Sequence, residues 1–254
     1  MLRSRIIPCL LIHNGGLVKT QQFKSPKYVG DPINAVRIFN EKEVDEIVVL
    51  DIDASREKRE PNFELIRELA AECRMPLCYG GGVTSEEQAA RIIGLGVEKV
   101  AVSSAAIENS GLVSAMAKAV GSQSVIAVLD VKRSLFGKYS VCTRNGSINT
   151  KLDPVDTAVR MEREGAGEVV VNSIDHDGMM KGYDIDLAQK IRNAIDLPMT
   201  VLGGAGSLED LRELTTKFKL IGVAAGSIFV FKGKYRAVLI SYPTGADKNF
   251  ALGR

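Results

Sequence analysis

The sequence lacks a membrane span: no window in its 254 residues approaches the ~20 consecutive apolar residues that one needs. The apolar run over residues 6–12 is short and interrupted by Pro8. It has no small-residue cleavage site, so it reads as a first strand rather than a signal peptide. Net charge is also scarce. Lys and Arg number 33 against 31 Asp and Glu, which leaves +2 and no basic block. That balance argues against nucleic-acid binding as the main task. Four cysteines, Cys9, Cys73, Cys78 and Cys142, make no CxxC pair, and His13 and His176 are the only histidines. A disulfide scaffold and a structural zinc are therefore not expected, and neither is any other metal or cofactor. Reduced thiols in a cytoplasmic protein are the default expectation.

What is present is a regular alternation. Strands are predicted over 5–12, 46–53, 75–79, 99–102, 124–130, 168–174, 197–202 and 220–224. Near-continuous apolar runs such as IVVL, VIAVL and VVV indicate strands covered on both faces, as in a parallel sheet. Helical periodicity occupies 32–43, 62–74, 85–95, 105–120, 154–165, 185–195 and 208–216. Asp31 before Pro32, and Ser85 and Ser207 before acidic residues, supply helix starts. Two loops are long, 13–30 and 131–152, and the second contains Asn145-Gly146, a type I′ hairpin signal.

The chain also repeats at an offset of 122: EIVVLDID (46–53) overlies EVVVNSID (168–175), and MPLCYGGGV (75–83) overlies LPMTVLGGA (197–205). Length alone permits one or two domains. The repeat favours a single (β/α)8 barrel over residues 1–254, an α/β TIM barrel of two pseudo-symmetric (βα)4 halves, about 1–122 and 123–254.

Such a barrel keeps its chemistry at the C-terminal ends of its strands. Gly80-Gly81-Gly82 and Gly203-Gly204-Ala205-Gly206 each end a strand and precede a helix. Glycine there serves tight-turn geometry or lets backbone N–H groups approach an anion. Its recurrence in both halves, each time followed by a small polar segment (Ser103-Ser104, Gly226-Ser227), favours two phosphate sites. A long substrate with an anion at each end would fit. Asp130 ends strand five and reads as a cap or ion-pair partner, or as a general acid or base. Asp51, Asp53, Asp175 and Asp177 make the mouth acidic, with Lys19 as counter-charge and phosphate contact. At the opposite end Arg5, Glu46, Lys99 and Glu168 begin strands. Charges there are commonly just solvated; pointing inward, these four would close the barrel as a neutral ring of ion pairs.

RIIPCL, GDP, DEIVVLDIDAS, the triple glycine, EKVAVSSAA, GSQSVIAV, GAGEVVVNSIDHDG, MMKGYD and LGGAGS together resemble the cyclase subunit of imidazole glycerol phosphate synthase, from the N-terminus to the helix after Ser227. The resemblance implies a glutaminase partner in a heterodimer, docked at the barrel floor, and ammonia passing through the barrel to a phosphorylated small-molecule substrate. It makes Arg5, Glu46, Lys99 and Glu168 the ammonia gate and Glu98 a partner contact. It carries phosphate contacts to Gly82, Ser103, Ser104, Asp177, Gly178, Gly204, Gly226 and Ser227, and retains Lys19 and Asp51.

The resemblance breaks at the catalytic centre. The family uses an aspartate ending strand one and another ending strand five. Asp130 is the second, with Lys19 in support, and Leu11 replaces the first. Leucine neither accepts nor donates a proton. Asn172, Leu202, Tyr79 and Val230 also depart from the family pattern in what reads as the mouth. This combination, with the C-terminal KYRAVLISYP, resembles paralogues in bacterial surface-polysaccharide pathways. There a glutaminase and the barrel supply ammonia to a separate sugar amidotransferase that forms an amidine on a nucleotide sugar. A genuine cyclase and a non-catalytic scaffold for the glutaminase stand as the alternatives.

Overall fold

A computed structural model describes residues 3–254. Eight parallel strands close on themselves: β1 (Arg5–His13), β2 (Ile47–Asp51), β3 (Leu77–Gly80), β4 (Lys99–Val102), β5 (Val125–Arg133), β6 (Glu168–Ser173), β7 (Met199–Leu202) and β8 (Gly222–Ala225). Each pairs with its successor, and Arg5 of β1 pairs with Gly222 of β8 to complete the barrel. Closure removes both sheet edges.

The main helices form the outer ring: α1 (Pro32–Glu41), α2 (Phe63–Glu72), α3 (Glu86–Gly94), α4 (Leu112–Val120), α5 (Pro154–Arg163), α6 (Ile185–Arg192) and α7 (Leu208–Phe218). Asp31 caps α1 by accepting from Asn34 N–H at 2.8 Å, and Ser207 forms a capping box with Asp210 on α7. Most of the core lies between sheet and helices, where Val36, Phe39, Ile66, Ile92, Met116 and Leu211 are buried. A second, smaller apolar set fills the barrel interior.

The predicted helix over 105–120 is two pieces, Ser104–Glu108 and α4. Gly111, at φ +92°, turns the chain between them. The hairpin in 131–152 is present, pairing Tyr139–Thr143 with β5 and with Ile148–Asn149. Its Asn145-Gly146 turn spans four residues, with Arg144, Asn145 and Gly146 all at positive φ, and not the two of a type I′ turn. The two-residue turn occurs instead at Asn14-Gly15 (φ +49° and +76°), where His13 pairs with Gly16. From it the loop 13–30 folds as a hairpin of Gly16–Gln21 and Lys24–Gly30. Beyond β8, a last helix α8 (Gly245–Ala251) packs on α7, and Tyr242 Oη donates to Ile6 O at 3.0 Å.

The internal repeat is visible in the backbone. A Cβ at Gly81 would strike Asp51 O, and a Cβ at Gly203 would strike Ser173 O. Each residue of the second pair lies 122 positions after its counterpart in the first. Both glycines have positive φ, +116° and +94°, so the same glycine-dependent turn closes the same strand end in each half.

Candidate functional site

At the strand C-termini lies an open cleft of about 120 Å³. Its walls include Lys19, Asp51, Gly82, Ser103, Ser104, Asp130, Asn172, Asp177, Gly178, Gly204, Gly226 and Ser227. Every residue predicted for phosphate contact or catalysis therefore lines one space.

Strand alternation determines which side chains point there. On β5, Ile126 and Val128 face the barrel axis and Asp130 follows at the mouth. Asp130 Oδ1 accepts from Asn172 Nδ2 at 2.8 Å, and Oδ2 accepts from Ser103 Oγ at 3.2 Å. Burial pushes its carboxyl up to about 6, against the pull of those two hydrogen bonds. Lys19 is 7% exposed and donates to Cys9 O. No carboxylate lies within 4.0 Å of its Nζ among the described residues, and burial pulls its pKa down. Its ammonium abuts Gly226, where a Cβ would occupy its place. A desolvated cation facing a glycine loop suits an anion.

The other mouth acids are largely engaged by their own loops. Asp51 accepts from Asp53 N–H and Ala54 N–H at 2.9 and 3.1 Å. Asp53 pairs with His13 Nδ1 at 2.8 Å, and Asp175 accepts from Arg133 N–H at 2.7 Å. Asp177 accepts from Thr20 Oγ1 at 2.8 Å, and its carbonyl accepts from Gln22 N–H at 2.9 Å. The first hairpin thus crosses the mouth and docks on Asp177 and Gly178, whose Cβ would strike Thr20 O. In the other half Ser104 Oγ accepts from Arg144 N–H at 2.8 Å, leaving its own proton free to donate.

Leu11, Leu202 and Asn172 all line the cleft. Tyr79 and Val230 do not. Cys78 and Gly80 point into the barrel from β3, so Tyr79 points outward into the helix–sheet core, and Val230 is buried in the same layer. Those two departures from the family pattern alter outer packing and not the mouth.

The opposite end carries the ring. Arg5 Nη1 lies 2.6 Å from Glu46 Oε2, and Nη2 lies 2.8 Å from Glu168 Oε1. Lys99 Nζ reaches Glu46 Oε1 at 2.7 Å and Glu168 Oε2 at 3.2 Å. Two cations and two acids alternate, each cation bridging both acids. Burial works against charge on all of them. Glu168 and Glu46 reverse it for Arg5 and Lys99, both raised. Arg5, Lys99 and the Thr200 hydroxyl reverse it for Glu168, held below its ordinary value, whereas burial dominates at Glu46 and raises it. Glu98, beside Lys99, is exposed on the same end.

Between ring and mouth lies a narrow interior cavity of about 20 Å³, room for a water-sized molecule. It starts at Glu46, Glu168 and Thr200 and is walled above by Ile7, Val48, Cys78, Ile126, Val170 and Ala224. Cys9, Leu50, Ala101, Val128 and Leu202 form its upper walls and also line the cleft. The family resemblance implied a route through the barrel, but sequence reasoning did not name the residues that wall it. The alternate apolar positions of the strands carried the signal.

Fold and site together define a (β/α)8 barrel with a glycine-lined polar mouth, a floor of paired charges and an apolar interior cavity between them. A family model described as histidine biosynthesis protein matches residues 5–236, and the chain belongs to that family. It is 54% identical over 253 residues to a Vibrio vulnificus protein with the provisional name imidazole glycerol phosphate synthase subunit hisF3, covering 99% of this chain and 97% of that one. A Pseudomonas aeruginosa protein, provisionally subunit hisF2, is 53% identical over 243 residues, covering 96% and 97%. The Alkaliphilus metalliredigens imidazole glycerol phosphate synthase subunit HisF is 38% identical over 229 residues, covering 90% and 91%. No helix of the described residues is long and apolar enough to cross a membrane.

Proposed function

We propose that this chain is the barrel subunit of a glutamine amidotransferase system. A glutaminase docks on the floor beside Glu98 and releases ammonia at the ring of Arg5, Glu46, Lys99 and Glu168. Ammonia travels up the bore and leaves at the mouth for a separate enzyme, which forms an amidine on a nucleotide sugar for surface polysaccharide. One observation carries the reading: the ring and the apolar bore are intact, while Leu11 occupies the mouth position of the family's first catalytic aspartate. Apolar walls suit a neutral amine and repel its protonated form. Two-carboxylate acid–base chemistry has only Asp130 left. The test is to supply the purified chain and its glutaminase with the bisphosphorylated nucleotide of the histidine-pathway cyclase. The reading expects glutamine hydrolysis with no imidazole glycerol phosphate, and a normal cyclase rate contradicts it.

The second reading, a genuine cyclase, has its own support. The glycine loops, Lys19 and Asp130 all face the mouth, and relatives at 38% identity carry the cyclase subunit's name. It requires another group to act for Leu11. Loss of one of two acid–base residues typically costs about 10²–10⁴-fold. The third, a scaffold for the glutaminase, predicts that substitution of Lys99 or Arg5 leaves glutamine-dependent product unchanged.

A further inference from the structure

Asn172 has an unused acceptor. Its side chain is 5% exposed, and Oδ1 is buried with no partner among the described residues. The amide orientation is fixed by chemistry: reversing it would set Oδ1 against the Asp130 carboxylate, where Nδ2 now donates at 2.8 Å. Burying a carbonyl oxygen without a donor is costly unless a ligand supplies one.

The position of this oxygen suggests which ligand. Val128 and Val170 line the bore, and Asp130 and Asn172 lie two residues further along the same strands, on the same face. Whatever leaves the bore on that side meets this pair next. Gly203 adjoins it, and a Cβ there would stand 3.1 Å from Asn172 Oδ1, so glycine leaves room beside the acceptor. Asp130 when ionised is acceptor-only, and Asn172 keeps one buried acceptor without a partner beside it. Asn172 Oδ1 has no donor among the described residues, and the Asp130 oxygens keep lone pairs beyond those that accept from Asn172 and Ser103; acceptors left over in this way suit a small ligand made of N–H donors.

We propose that Asp130 and Asn172 Oδ1 form a holding site for ammonia at the upper end of the bore. The pair binds the nitrogen through its N–H bonds and presents it toward the mouth. Asn172 is a positioning residue on this view, with Ser103 fixing the other side of the Asp130 carboxylate. The inference rests on the reading of the bore as an ammonia conduit and adds a site to it.

The test uses the full chain alone. Aspartate carboxyls are labelled with ¹³C and the Asp130 signal is followed during titration with ammonium chloride at constant pH and ionic strength. Potassium chloride is the matched control. The expected result is a saturable Asp130 shift with ammonium and none with potassium, weakened about tenfold in Asn172→Leu by loss of one hydrogen bond. A shift that fails to saturate, that potassium reproduces, or that survives Asn172→Leu unchanged would overturn the proposal. If Asn172→Leu does not fold, the ammonium-against-potassium comparison on the unsubstituted chain decides alone. No glutaminase is present, so a negative result leaves the conduit reading standing. Failure of glutamine-dependent delivery leaves this titration unaffected.

Discussion

Arg5 Nη2 lies 2.8 Å from Glu168 Oε1, joining residues 163 positions apart across the floor of the barrel. The same guanidinium holds Glu46, and Lys99 binds both acids from the far side. Removing one cation leaves two buried carboxylates sharing the other. Breaking a fully buried pair costs ~3–5 kcal/mol. Arg5 is a quarter exposed at its side chain, so Arg5→Ala is expected to destabilise the chain by about 2 kcal/mol in urea unfolding. With the glutaminase bound, glutamine hydrolysis is expected to continue while free ammonia appears in solution in place of amidinated product.

Asp130 gives a pH prediction. Its folded-state value of about 6 lies above the ordinary 3.8. The folded protein therefore holds this proton more tightly than the unfolded chain. Stability from this group falls as pH rises from about 4 to about 6 and is level above. Asp130→Asn is expected to be more stable than the unsubstituted chain at pH 8, by about 1–2 kcal/mol, because mouth solvent offsets part of the desolvation. Thermal melting of both proteins at pH 4 and pH 8 checks this, and a gap that does not widen with pH contradicts it.

Leu11→Asp separates the two enzymatic readings. Leu11 belongs to an apolar cluster with Ile7, Cys9, Val18 and Leu202, and a carboxylate there is expected to cost about 1–3 kcal/mol of stability. On the conduit reading the substitution yields no imidazole glycerol phosphate. A strong gain of cyclase rate would favour the genuine cyclase.

Gly178→Ala tests the hairpin across the mouth. Gly178 has φ +67°, and a Cβ there would strike Thr20 O, which is backbone and cannot swing aside. The hairpin is expected to lift from Asp177. Amide exchange should rise over residues 16–30, with the barrel strands unchanged; equal protection in both proteins would contradict this docking.

The barrel was legible in the sequence because strands covered on both faces read as apolar runs, and the 122-residue repeat leaves a glycine turn at the same place in each half. The four ring charges were legible at strand starts, where the pattern alone allowed solvated ends and the family resemblance brought them together as a gate. The walls of the passage were not legible: the resemblance implied a route through the barrel, but Cys9, Ala101 and Val128 look like ordinary core residues until closure places them around an axis. Tyr79 and Val230 were assigned to the mouth from family position, but the alternation on β3 and the packing behind β8 put both outside it. The first hairpin was not legible because its turn, Asn14-Gly15, follows directly on β1 in a stretch that reads as one long loop.

The most direct test of the conduit is isotopic. The chain, its glutaminase and the acceptor enzyme are supplied with glutamine labelled with ¹⁵N at the side-chain amide, in excess unlabelled ammonium. The account predicts product nitrogen that stays ¹⁵N-enriched, and loss of that enrichment in Ala101→Phe, which fills the neck of the bore. Product with the isotopic composition of bulk ammonium in the unsubstituted complex would contradict it.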